Sequence, residues 1–181
     1  MTGFSADMKK QGFHPSSKML EFKVIMPTPE IINLLYIGPS EAVIFINRLR
    51  YIDGHVMGIE YTYMPFNRFS RLMDENLEDN SLYETLINKF DAVPTRVAIT
   101  FEAVHCEENV CELLRTTKEP LFLHMSDITF DQNDRLIEYS NTYYRSDLYT
   151  FHVEINKHQN ENLLFVNNGF DNNQPEDLPD K

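Results

Sequence analysis

Asp53 followed by Gly54, set between two runs rich in Ile, Val, Phe and Tyr, constrains this chain more than any other feature. The stretch 47–65 reads N-R-L-R-Y-I-D-G-H-V-M-G-I-E-Y-T-Y-M-P. Such a pair between strand-forming runs is a hairpin signal, because both turn positions favour residues that tolerate positive φ. Side chains alternate along a strand, so Arg48 and Arg50 share a face with Ile44 and Ile46. An apolar face that ends in two arginines makes a poor core but a good wall for an anion pocket. Glu60 depends on the loop. A three-residue loop, 52–54, puts Glu60 on the arginine face with residue 46 opposite it; a two-residue loop turns Glu60 away. The three-residue loop is favoured because it gathers the polar groups. The competing reading is a solvated face with cross-strand ion pairs of little energetic weight.

The remaining sequence bounds the partners. A chain of 181 residues suffices for one domain with a sizeable core. It carries 16 Lys and Arg against 28 Asp and Glu, a net charge of −12, so it offers no basic surface for duplex DNA. No apolar run approaches the ~20 residues of a membrane span, and no signal peptide is visible. Cys106 and Cys111 are too few for a disulfide framework; they fit small buried apolar groups in a reduced, cytoplasmic setting.

Taken in order, residues 3–12 form a short helix with Ser5 as its cap and Gly12 as its stop. Its first amides, at Phe4 and Ser5, can hold a phosphate. Residues 14–17 are a turn and 18–26 a strand. A short helix spans 30–35, and the central hairpin strands follow. Residues 66–73 and 107–115 are short helices. Ser81 or Asn80 caps a helix to 89 with Leu82, Leu86 and Ile87 inward; Val110, Leu113 and Leu114 face inward on the later one. Residues 94–105 alternate as a strand, and a second hairpin joins 120–130 to 135–144. Residues 148–155 form a strand and 163–166 an edge strand. From 167 the chain is an acidic tail without a core-forming pattern.

An internal echo links the two hairpins: I-E-Y-T at 59–62 and I-E-Y-S at 137–140. On the second, Glu138, Ser140, Thr142 and Tyr144 share one face, and Ile137, Tyr139 and Tyr143 the other. A strand face with a carboxylate, two hydroxyls and a phenol is suited to a polar ligand. His105, Cys106 and Cys111 do not have zinc-ligand spacing, and no nucleophile elbow, P-loop or dinucleotide fingerprint occurs. Neither a metal nor a cofactor is expected. Glu60 and Glu138 could serve acid–base catalysis or bind sugar hydroxyls.

Six motifs in order carry a resemblance: G-F-S-A-D-M-K-K-Q-G-F-H-P-S-S-K-M-L, R-L-R-Y-I-D-G, I-E-Y-T-Y-M-P, N-S-L-Y-E-T-L, L-F-L-H-M-S-D-I-T-F-D and I-E-Y-S-N-T-Y-Y-R-S-D-L-Y-T-F. Their order and spacing, over about 3–155, resemble the UTRA effector-binding domain of HutC-subfamily GntR transcription regulators. The resemblance implies an α+β fold similar to chorismate lyase, with an antiparallel sheet of about six strands and flanking short helices. It implies a domain over 1–166, a tail over 167–181, and no DNA-binding domain in this chain. It also implies a homodimer that binds a small anionic effector, often a sugar phosphate, and operator DNA only through a winged helix-turn-helix domain. The phosphate positions match Phe4, Ser5, Arg48, Arg50 and Ser81. The positions for the rest of the effector match Glu60, Tyr83, Glu138 and Tyr144. No catalytic residue is expected; a chorismate-lyase-like enzyme and a pure dimerisation module are the alternatives.

Overall fold

The computed structural model describes residues 4–78, 80–105, 107–114, 116, 121–155 and 162–167. Six strands form one antiparallel sheet: β1 (Pro15–Ile25), β2 (Val43–Ile52), β3 (His55–Pro65), β4 (Pro94–His105), β5 (Leu121–Asp131) and β6 (Leu136–Arg145). Their spatial order is β1-β2-β3-β6-β5-β4, so each half of the sheet is a three-strand unit and β3 meets β6 at the centre. The α+β class and the six-strand count agree with the sequence. Two further strands, β7 (Thr150–Ile155) and β8 (Asn162–Asn167), pair with each other in a separate two-stranded sheet. Residues 168–181, most of the expected tail, lie outside the described residues.

The central hairpin corrects the expected loop. Ile52 pairs with His55, so the turn has two residues, Asp53 (φ 48°) and Gly54 (φ 80°). Both positive φ values match the turn that follows the strands' own twist. Glu60 nevertheless lies on the arginine face, because a bulge intervenes: Arg50 pairs with Gly58 but Tyr51 with Val56, leaving Met57 unpaired. The extra residue restores the parity that the short turn would have reversed. The residue opposite Glu60 is therefore Arg48, not Ile46. A second bulge, between Thr129 and Phe130 against Glu138 and Leu136, turns Ile137 toward Ile44 and Ile46 rather than leaving it with Tyr139.

The echo is structural. Thr62 pairs with Ser140, Tyr61 with Asn141 and Tyr63 with Tyr139. The two I-E-Y tetrapeptides thus run antiparallel about a local two-fold centred on the Thr62–Ser140 pair.

Helices cover both faces. On the first, α3 (Phe66–Phe69), a 3₁₀ turn (Ser70–Asp74) and α4 (Leu82–Phe90) pack Phe69, Leu72, Leu82 and Leu86 on Ile44, Ile46 and Met64. At the other end of that face, α1 (Phe4–Lys10) sets Met8 and Phe4 against Ile52, Met57, Tyr144 and Tyr149. The opposite face holds α2 (Pro29–Leu35), capped by Thr28, and α5 (Glu108–Leu113). Ile31 and Leu35 pack on Val43 and Tyr139, and Val110 and Leu114 on Leu49, Ile59 and Phe122.

Four local expectations change. The first strand begins at Pro15, which supplies φ without needing a ladder N–H at a strand start. Ser5 is the second residue of α1, so it cannot be its cap. Ile87 and Leu113 are 43% and 39% exposed, because short helices bury only the residues one turn apart on a narrow stripe. Cys111 is buried but disulfide-bonded rather than a free apolar group; the other cysteine, Cys106, lies outside the described residues.

Gly58 sits at the junction of the halves, opposite both Arg50 and Tyr144. A Cβ there would come within 2.6 Å of the Tyr143 carbonyl oxygen and 3.0 Å of Tyr144 Cδ1. Backbone cannot give way as a flexible side chain can. Gly58→Ala is expected to destabilise the domain by about 1–3 kcal/mol, measured by urea unfolding; a change under ~0.5 kcal/mol would contradict the close approach.

Candidate functional site

Between the two apolar clusters of the first face lies a belt of polar side chains. Cross-strand pairing arranges it in rungs: Ser17, Arg50, Gly58, Tyr144; then Arg48, Glu60, Thr142; then Thr62, Ser140, Asp127; then Glu138 and Thr129. Arg48, Arg50, Glu60, Thr62, Asp127, Thr129, Glu138, Ser140 and Thr142 are all buried. The solvated-face reading of the arginines is therefore excluded.

At one end, Glu60 gathers its neighbours. Arg48 Nη2 donates to Glu60 Oε1 (2.6 Å), Arg50 Nε to Oε2 (2.5 Å), and Thr62 Oγ1 to Oε1 (2.9 Å). Arg50 Nη1 also donates to Ser17 Oγ (2.7 Å). Burial would raise the Glu60 pKa, but the two guanidinium groups outweigh it and hold it at about 2. Burial and Arg48 lower that of Arg50 while Glu60 raises it; a guanidinium stays charged throughout. Two cations on one carboxylate leave one positive charge in excess at this end of the belt, and among the described residues Arg48 Nε is buried without a hydrogen-bond partner.

The other end is acidic. Tyr83 OH donates to Glu138 Oε1 (2.7 Å) and lies 3.2 Å from Thr129 Oγ1. Ser140 Oγ donates to Asp127 Oδ1 (2.6 Å) and Thr129 Oγ1 to Asp127 Oδ2 (3.3 Å). Among the described residues Glu138 Oε2 is buried without a partner. Burial, then repulsion from Asp127, pushes Glu138 up to about 8; burial and then Glu60 push Asp127 up to about 6 against the Ser140 and Thr129 bonds.

Seven of the nine expected residues meet this belt. Phe4 does so through its ring, 5.3 Å from the Arg50 guanidinium and stacked on Tyr144 at 6.4 Å. Tyr144 stacks in turn on Tyr149 at 4.1 Å. Ser5 lies in α1 beside Phe4. Ser81 is the cap of α4: its oxygen accepts from Glu84 N–H at 3.3 Å, and it bonds neither arginine among the described residues. Ser17, Thr62, Asp127 and Thr129 were missed. Parity could have found the last two, since 123, 125, 127 and 129 share one face. On the opposite face, a separate groove of about 220 Å³ is lined by Tyr61, Tyr63, Tyr143 and Val110. Among the described residues no cluster of His, Cys, Asp and Glu could hold a metal, and no helix is long and apolar enough to cross a membrane.

The two ends respond oppositely to pH. Glu138 has a folded pKa above its ordinary 4.5, so its contribution is fully present below pH 4.5 and is lost as pH rises through about 8. Glu60 has a depressed pKa, so its contribution is present above pH 4.5 and is lost as pH falls toward 2. Glu138→Gln is expected to gain about 1–3 kcal/mol on the wild type between pH 5 and pH 8.5. Urea unfolding at both pH values checks this; a constant difference would show that Glu138 does not hold a proton at neutral pH.

The chain has relatives among known proteins. A family model described as the UTRA domain matches residues 10–150. The repressor NagR of Bacillus subtilis (strain 168) is 27% identical over 152 residues, 83% of this chain and 62% of the relative. A "Probable fructoselysine utilization operon transcriptional repressor" of Escherichia coli (strain K12) is 25% identical over 159 residues, 87% of this chain and 65% of the relative. The chain thus spans under two thirds of these relatives' lengths. The effector domain of PhnF from Mycobacterium smegmatis superposes with a TM-score of 0.77 at 20% identity, covering 81% of this chain and 90% of that domain, which speaks to the fold. With the family model covering the six-strand sheet and every element of the polar belt but α1, of which it reaches only Lys10, the chain belongs to the UTRA domain family.

Proposed function

We propose that this domain senses a small anionic metabolite, a phosphorylated sugar, and relays its presence to a DNA-binding domain of a GntR-type transcription regulator. The observation that carries the reading is the buried excess of positive charge at Arg48 and Arg50 over Glu60. An unbalanced buried cation is costly, and an anionic ligand removes that cost while gaining charge-assisted bonds. Arg48 Nε supplies one donor without a present partner. The Phe4 and Ser5 amides and Ser81 complete the proposed phosphate site, while Glu60, Tyr83, Glu138 and Tyr144 face the rest of the effector. Carboxylates and phenols are suited to sugar hydroxyls. The relative named for a fructoselysine utilization operon supports a carbohydrate-derived effector, and the relatives named as repressors support regulation rather than catalysis.

Contacts support the relay. Phe4 lies on Arg50, and α1 leads the chain toward its N-terminus. A ligand that moves the Arg50 guanidinium also changes the seat of α1. We place the working unit as a homodimer, since a palindromic operator calls for a two-fold partner. Sedimentation at micromolar concentration is expected to give about twice the 21.3 kDa chain mass; a monomer would overturn dimerisation by this domain alone.

Arg50→Ala is expected to weaken a phosphorylated sugar roughly tenfold to a hundredfold, from the loss of one charge-assisted contact. Arg50→Lys should restore only part, because an ammonium lacks the planar fork. Calorimetry with phosphorylated and free sugars on all three proteins is the test. Equal losses for both ligands would assign Arg50 to holding the fold of the site instead of reading phosphate.

A further inference from the structure

The acidic end of the belt has chemistry of its own. Asp127 and Glu138 are 7% and 4% exposed, on adjacent strands, one rung apart. The hydrogen bonds that reach them come from the hydroxyls of Ser140, Thr129 and Tyr83, all uncharged. The charged groups that face them do not balance them. Glu60, from β3, repels both, and its own oxygens are occupied by Arg48, Arg50 and Thr62. Arg48, from β2, attracts Glu138 only through space, while Tyr83, from α4, is held neutral by burial. Glu138 Oε2 is buried with no hydrogen-bond partner among the described residues. That orphaned acceptor points to a donor outside the described residues, one that a ligand can supply.

Two close buried carboxyls without a counter-cation are tolerated in two ways. They share a proton, or a ligand brings a positive charge. A primary ammonium offers three donors, enough for Glu138 Oε2, an Asp127 oxygen and the Thr129 or Tyr83 hydroxyl. We infer that Asp127 and Glu138 form a cation-recognising subsite that takes a primary ammonium group of the effector. This rests on the reading of the belt as the effector site and narrows the ligand to a zwitterion. The arginines and this acidic pair stand roughly 15–20 Å apart between backbones, from strand spacing and rise per residue. The side chains reach inward from both ends, near enough for Arg48 and Glu60 to act on Glu138 through space, so the charged heads lie closer than the backbones do. The ligand carries its two charges on separate ends, as an amino sugar phosphate or an aminoacyl sugar phosphate does, and not on neighbouring atoms as an α-amino acid does. Near neutral pH the pair holds a proton, and the arriving ammonium sends that proton to the buffer.

Calorimetry at pH 7 with two matched pairs of probes tests this: glucosamine 6-phosphate against glucose 6-phosphate, and 6-aminohexyl phosphate against 6-hydroxyhexyl phosphate. The amino member of at least one pair is expected to bind about tenfold tighter, with proton release seen as a difference in heat between PIPES and Tris buffers. Asp127→Asn and Glu138→Gln should each bring the preference below threefold. If either variant fails to fold, the wild-type comparison decides by itself. Equal or tighter binding of the hydroxy member in both pairs overturns the ammonium subsite and leaves the anion reading standing. A tenfold preference that survives in both folded variants also overturns it. No binding by any of the four overturns both.

Discussion

The Arg48–Glu60–Arg50 bridge is the interaction around which the rest of the sheet is arranged. Three ionised side chains are held away from water on two adjacent strands. Removing them from water costs several kcal/mol per ion, and only near-ideal geometry recovers that cost. The geometry comes from the β2–β3 register: Arg48 stands directly opposite Glu60, and Arg50 reaches it diagonally from the next rung. A slip of one residue would carry Glu60 to the other face and leave two buried guanidinium groups unpaired. The bulge at Met57 thus has an electrostatic consequence far larger than its local effect on the strand.

The two halves of the sheet use one architecture for opposite ends. Around the Thr62–Ser140 pair, the first half brings two arginines to its glutamate, and the second half brings an aspartate and hydroxyls to its own. The same residue type therefore titrates in opposite directions: Glu60 falls to about 2 and Glu138 rises to about 8. Helices α1 and α4 close the two ends of the face, each with one aromatic that touches the belt: Phe4 on Arg50 and Tyr83 on Glu138. Under the proposed function, a ligand spanning the belt would engage both helices together, with no element having to refold.

Much of this was legible in the chain because it rests on local rules. The Asp53 and Gly54 turn follows from which residues accept positive φ, and the shared faces of Arg48 with Arg50 and of Glu138 with Ser140, Thr142 and Tyr144 follow from strand alternation. The helix cap at Ser81 follows from its side-chain acceptor. Alternation along 121–131 places Asp127 and Thr129 on one face as well, but nothing in that strand's local pattern marks the face as the one that meets Glu138.

Tertiary structure alone decided what depends on contacts between distant segments. A bulge leaves no mark in composition, so neither the unpaired Met57 nor the inward turn of Ile137 could be read from local sequence. Burial could not be read either: Arg, Glu and Asp are ordinarily surface residues, and only packing beneath α1, α3 and α4 takes these out of water. The split between Glu60 and Glu138 is likewise tertiary. Both sit in the same I-E-Y context, and their protonation differs because one faces β2 arginines across the ladder while the other faces β5 and its aspartate. The sequence determined which residues share a face; the fold determined which charges they meet there, because electrostatic partners are set by strand neighbours and not by chain neighbours.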